Sequence, residues 1–162
     1  MAQSEAETTK SGIDPIDRKL LRALQEDGRV TVQALADKVG LSASPCLRRL
    51  RQLERDGVIS GYSANIEQKS VGLPVSVFIS IKLEQQRARN LDAFGAAISR
   101  WPEVMECYLM TGQFDFLLRV VCADLESYEH FLRERLTQLD GVAHIESSFS
   151  LGAVKFSRVL PI

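Results

Sequence analysis

The chain is short of the residues that most chemistry needs. Its 162 residues include three cysteines, two histidines and one tryptophan. Cys46, Cys107 and Cys122 each sit inside an apolar pattern, and an odd count makes a poor disulfide framework, so a reducing cytoplasm is expected. His130 falls in a predicted helix and His144 in a predicted strand, with no cysteine or acid at ligand spacing beside either, so no metal is expected. Cys46 reads as a small buried hydrophobe. Glu103 and Glu106 flank a strand start without a visible partner. Phosphate loops, dinucleotide fingerprints and hydrolase elbows are missing, which excludes the common enzyme classes and leaves no cofactor to place. No apolar run approaches the ~20 residues of a membrane span. The opening MAQSEAETTKSG lacks the apolar centre of a signal peptide, so a soluble chain that is not exported is expected. Charge of one sign is lacking too: the net charge is −1.

What is present is a local asymmetry. Residues 12–62 hold nine Lys/Arg against seven Asp/Glu, and the chain from Gln68 onward holds ten against eleven. Between Ser44 and Arg55 there are four arginines and one acid, Glu54. Affinity for a polyanion follows the local field and the phosphates contacted, so a neutral whole does not exclude nucleic acid.

That basic segment lies in TVQALADKVGLSASPCLRRLRQLERDG, which reads as two short helices and a tight turn. Thr31 is a good N-cap and Gly40 a good stop, which bounds the first helix at Val32 to Val39. Ala36 allows close helix approach, and Gly40 supplies the positive φ of a sharp turn. Ser42 is in place to cap the second helix, and Pro45 is tolerated in its first turn, where N–H groups lack intrahelical partners. Gly57 ends it. At 100° per residue Cys46, Leu47, Leu50 and Leu53 form the core stripe, while Ser44, Arg48, Arg51, Gln52 and Arg55 face away, with Arg49 at the edge. A free face with hydroxyls near its start and arginines beyond suits a DNA major groove. The candidate DNA contacts are Thr31, Ser42, Ser44, Pro45, Arg48, Arg49, Arg51, Gln52 and Arg55. A basic face that is merely solvated is the competing reading.

Around this pair, residues 1–11 are polar and aperiodic, a disordered tail. IDPIDRKLLRALQEDG is a third helix, with Asp14 as N-cap, Pro15 at its first position, Asp17 in its first turn and Gly28 at its end; Ile16, Leu20, Leu21 and Leu24 form its stripe. Residues 12–62 thus make one helical module. After Gly57, VISGYSANIEQKSVG fits a wing hairpin or a plain linker equally, with 63–73 joining the two domains; Ser60, Tyr62 and Ser63 are within reach of DNA if a wing forms.

From Pro74 the pattern changes. Val75, Val77, Ile79, Ile81 and Leu83 alternate with polar residues in a strand. Leu91, Phe94, Ile98 and Trp101 give a helix over 88–100, 104–110 and 116–122 give two strands, 125–136 a second helix and 142–151 a last strand, with an edge strand expected at 153–160. The order β-α-β-β-α-β over 74–162 is a ferredoxin-like split arrangement. Both helices must cover one sheet face. The other carries Leu117 and Val121 in the third strand, so it predicts sheet-to-sheet dimerisation.

IDPIDRKLLRALQEDGRV, LADKVGLSASPCLRRLRQLERDGVISGY, ECYLMTGQFDFLL and LDGV together resemble the leucine-responsive regulatory protein/AsnC family of transcription regulators. The resemblance covers nearly everything after Ser11. It implies an α+β chain: an N-terminal winged helix-turn-helix and a ligand-sensing βαββαβ (RAM) domain. It also implies dimers that assemble into tetramers or octamers, double-stranded DNA as partner and an amino acid as effector. The family's effector loop, with its G-x-x-D pattern, corresponds to Gly112, Gln113, Phe114 and Asp115, preceded by Leu109, Met110 and Thr111. Gly112 would let N–H groups approach a carboxylate, Asp115 would receive an ammonium, and Leu109 or Met110 would line a side-chain pocket. A tight hairpin in which Asp115 bonds its own turn is the plainer alternative. Many members carry Asp where this chain has Gln113, which leaves the ligand's identity open. Two other functions fit the same residues: an architectural, nucleoid-type protein wrapping DNA with little sequence preference, and a small-molecule-binding subunit of a metabolic enzyme.

Overall fold

The computed structural model describes residues 12–162; the stretch 1–11, expected to be a disordered tail, lies outside them. The described chain divides into two compact units. One runs to Asn65 and takes in Lys155–Ile162, and the other is Ile66–Val154.

The first unit is three helices, α1 (Pro15–Glu26), α2 (Val32–Val39) and α3 (Ala43–Arg55). α1 starts on a reciprocal box: the Asp14 carboxylate accepts from the Asp17 N–H at 2.8 Å, and the Asp17 side chain accepts from the Asp14 N–H. α2 has the expected bounds. Thr31 Oγ1 accepts from the Ala34 N–H, and Gly40 takes φ 76°, letting the Leu41 N–H return to the Ala36 carbonyl. The core joins Leu20, Leu21, Ala23, Leu35, Ala36, Val39, Cys46 and Leu53, with Ile16, Leu24 and Leu50 at its margin. Residues 58–67 form no ladder, so of the two readings of that segment the linker matches its backbone. Tyr62 is no free wing residue, because its hydroxyl donates to Glu54 Oε1.

The second unit is an antiparallel sheet of β1 (Val75–Leu83), β2 (Val104–Leu109), β3 (Phe116–Cys122) and β4 (Val142–Phe149), in the order β2-β3-β1-β4. The crossovers are α4 (Ala88–Ile98) and α5 (Leu125–Glu134). Val77, Ile79 and Ile81 of β1 and Phe116, Leu118 and Val120 of β3 are buried in one core with Phe94, Ile98, Tyr128 and Phe131 of the helices. Phe94 stacks on Phe116 at 4.5 Å, and Trp101 meets Phe131 edge-on at 5.6 Å.

Three expectations are corrected here. Residues 153–160 form no edge strand; Lys155–Ile162 groups instead with the helical unit, where the Leu160 N–H donates to Gln25 Oε1 and Ile162 packs against the helical core. Second, the sheet face away from the helices is mixed: register places Arg119 between Leu117 and Val121, with Ser80 of β1 and Glu146 of β4 on the same face, while Phe78 of β1 stays exposed there as an apolar patch. Third, the two acids without visible partners have them: Glu106 pairs with Arg119 and Glu103 with Arg135.

Candidate nucleic-acid interface and effector loop

The start of α3 departs from the other capped helices, and proline is the reason. An N-cap side chain accepts from the second or third helical N–H, and Asp14, Thr31 and Asp124 take the third, from Asp17, Ala34 and Ser127. In α3 that third residue is Pro45, which has no N–H. Ser42 therefore holds the N-cap backbone position without a side-chain bond. The expectation that its hydroxyl caps the helix is corrected, and that hydroxyl stays exposed beside Ser44 at the helix start.

The arginines separate into two groups. Arg49 Nη1 lies 2.6 Å from Asp14 Oδ2 and 2.9 Å from Asp17 Oδ1, so it ties α3 to the start of α1. Hydrogen bonds to Asp17 and Asp14 hold its guanidinium still more firmly protonated, and the Asp17 N–H, with Arg49, holds the Asp14 carboxyl below the usual range. Arg49, expected among the DNA contacts, is turned away from the outer face by this pairing. Among the described residues, neither Arg48 nor Arg51 has a hydrogen-bond or ion-pair partner. Arg55 donates to Gln52 Oε1 while the Gln52 amide donates to Asp56, so these two are linked along the surface. Ser44, Leu47, Arg48, Arg51 and Arg55 line an open groove of about 250 Å³. Leu47 is a further departure: expected in the core stripe, it is half-buried, outside the core cluster, and faces this groove. Thr31 is committed to capping α2, and Pro45 is half-buried.

In the sheet unit, the β2–β3 connection carries Met110 to Asp115, with Gly112 at φ 112°. Leu109 and Met110 are exposed, 64% and 42%. Asp115 is not: at 4% it is the buried charged side chain among the described residues. Its Oδ2 accepts from the Leu83 N–H at 2.7 Å, its Oδ1 from the Gln86 amide, and Lys82 Nζ lies 3.6 Å away. The Asp115 carbonyl closes the turn by accepting from the Met110 N–H at 2.8 Å, while its carboxylate bonds outside the turn and is buried away from a ligand's ammonium. It fastens the start of β3 to the end of β1. Phe114 stacks on His144 of β4 at 6.0 Å, and Thr111, Gly112 and Gln113 are exposed. These bonds join residues about 30 apart, and the sequence holds no local sign of them. No group of three or more His, Cys, Asp or Glu that could hold a metal occurs among the described residues, and no helix there is long and apolar enough to cross a membrane.

A short helix-turn-helix with an unpaired basic outer face, followed by a four-stranded split β-α-β domain, defines a DNA-binding regulator with an attached sensory domain. Residues 13–60 match the winged helix-turn-helix DNA-binding model and residues 76–160 the Lrp/AsnC ligand binding domain. The chain is 45% identical over 150 residues to the Bkd operon transcriptional regulator of Pseudomonas aeruginosa, covering 93% of this chain and 98% of that one. Among solved structures, a transcriptional regulator of Neisseria meningitidis in complex with L-methionine superposes with a TM-score of 0.87 at 38% identity, over 93% of this chain and 97% of that one. A feast or famine regulatory protein of Mycobacterium tuberculosis, also complexed with L-methionine, gives 0.82 at 33% identity, over 92% and 99%. The chain belongs to the Lrp/AsnC family of transcription regulators. It is a DNA-binding regulator and not an enzyme, and the architectural and metabolic-subunit alternatives are not favoured.

Proposed function

We propose that the outer face of α3, centred on Ser44, Arg48 and Arg51 with Arg55 at its far end, reads operator DNA as a dimer. The observation that carries this is the contrast within α3: among the described residues Arg49 is paired inside the protein while Arg48 and Arg51 are not. Two copies of the helix would address half-sites about 10 bp apart, or a multiple, in a near-palindrome. Ser42, freed by Pro45, and Thr31 at the start of α2 are suited to phosphate contacts at the groove's edge. Acting on chromosomal DNA, the protein would work in the cytoplasm with the nucleoid.

We further propose an amino acid as effector, with L-methionine the first to test because two similar proteins hold it. Backbone N–H groups around Gly112 and the side chains of Thr111 and Gln113 would meet its polar end, and Leu109, Met110 and Phe114 its apolar side chain. Asp115 would act from behind, holding the loop. The effector would work through differential affinity for two assembly states. No cofactor is required.

Purified protein incubated with sheared DNA from its own organism, with and without L-methionine and a mixture of amino acids, tests both. A few enriched fragments whose recovery changes with the amino acid are expected. Enrichment that ignores every amino acid would remove the effector reading, and no enrichment at moderate salt would remove the operator reading.

A further inference from the structure

Leu47 is the one leucine of α3 that the helical core does not use. Leu50 and Leu53 pack with α1 and α2, whereas Leu47 lies outside that cluster and opens on the groove. Its neighbours there are Ser44, one turn back, and Arg51, one turn on, with Arg48 beside it. Leu47 is only half-buried, and the part of it that faces the groove lies beside Arg48 and Arg51, which have no ion-pair partner among the described residues. Against the major groove the same placement has a defined partner. Thymine is the one base that offers a methyl group there, and apolar contact with that methyl is the way a side chain without donors or acceptors reads sequence. Leu47 stands at the start of the helix's second turn, within the N-terminal half that recognition helices bring to base edges.

We propose that Leu47 is a specificity-determining residue that packs on the C5-methyl of one thymine in each half-site, next to a guanine taken by Arg48 or Arg51. This rests on α3 being the recognition helix. Cytosine would be rejected at that position, since it lacks the methyl and its amino group would face leucine unpaired.

The test uses the full chain and the duplex it selects from a random pool. Each thymine of that duplex is replaced in turn by deoxyuridine, which removes only the methyl. One position per half-site should lose affinity by about four-fold, the ~0.8 kcal/mol of one buried methyl converted at 1.36 kcal/mol per tenfold. Leu47→Ala should bind the thymine duplex correspondingly less well and be indifferent to deoxyuridine at that position. Leu47→Gln should shift the selected base there toward adenine, whose N6 and N7 suit an amide. Both variants should stay folded, and each should lose discrimination at that position by more than it loses affinity for random DNA. Indifference of the wild type to every deoxyuridine, or full sensitivity in Leu47→Ala, would overturn the assignment while leaving α3 as the reader. A wild type that selects no duplex at all would instead strike the recognition-helix reading and take Leu47 with it.

Discussion

The outer face of α3 and the β2–β3 connection both carry ionic groups at a place where a partner is proposed, and the protein treats them in opposite ways. On α3, Arg48 and Arg51 have no partner among the described residues, Arg55 reaches only the neutral Gln52, and Arg49, which pairs with carboxylates, is turned to the side. At β2–β3 the charged group is consumed: Asp115 is buried and its oxygens are met by Leu83, Gln86 and Lys82. A charge left open to solvent costs little to keep and is available to a polyanion. A buried carboxylate must be satisfied within its own chain, because an unmet one would be destabilising. The comparison separates ionic residues that bind from ionic residues that hold the binding elements in place.

The sharpest way to break it is at Asp115. Asp115→Ala leaves the Leu83 N–H and the Gln86 amide without their acceptor, and the expected loss is about 3 kcal/mol of stability, within the range for breaking a buried charged network. Urea denaturation followed by the Trp101 signal measures it. A stable variant that has merely lost effector binding would make Asp115 a ligand contact after all. Next in size, Arg48→Ala or Arg51→Ala should weaken operator binding by roughly 1–3 kcal/mol each with the melting temperature unchanged. Affinity for operator and for random DNA, measured side by side, assigns each: a selective loss means a base contact, an equal loss a phosphate. Smaller again, Thr31→Ala should cost about 1 kcal/mol of stability through the lost α2 cap. Arg49→Ala should lower stability and leave operator binding nearly unaltered, the reverse of Arg48→Ala.

The same division explains what could be read from the chain itself. Local signals were legible: Thr31 and Gly40 bound α2, Asp14 and Pro15 start α1, and the alternation from Val75 gives β1. Each of those depends on residues within one turn or one strand. The misreadings are long-range or relational. Arg49 looks like its neighbours until Asp14 and Asp17, more than 30 residues earlier, are packed against it. Leu47 falls at the margin of the stripe, and only the placement of α1 and α2 decides which margin is covered. Asp115 has partners on β1 and after it. Ser42 is a local case: Pro45, three residues on, removes the N–H that the caps of α1, α2 and α5 use.

Acid offers the gentlest probe, and it reaches both units by the same device. Asp14 caps α1 and Asp124 caps α5; the Asp17 N–H lowers the first carboxyl, and the Ser127 hydroxyl and N–H lower the second. A carboxyl lowered in the folded state contributes stability above its unfolded value, near pH 4, and that contribution is lost as pH falls through the lower folded value. Between the two, the folded chain still holds its carboxylates while the unfolded chain takes up protons. Stability should therefore decline as pH drops below about 4. Asp14→Asn should flatten that decline over Asp14–Arg55, and Asp124→Asn over Val75–Phe149, each read by amide hydrogen exchange in its own segment. Because Arg49 also bears on Asp14, Arg49→Ala should move the helical segment's acid limb to higher pH and leave the sheet's unmoved. A shift in both segments would mean that the two units unfold as one, and Arg49 would then report on the whole chain and not on the α1–α3 contact alone.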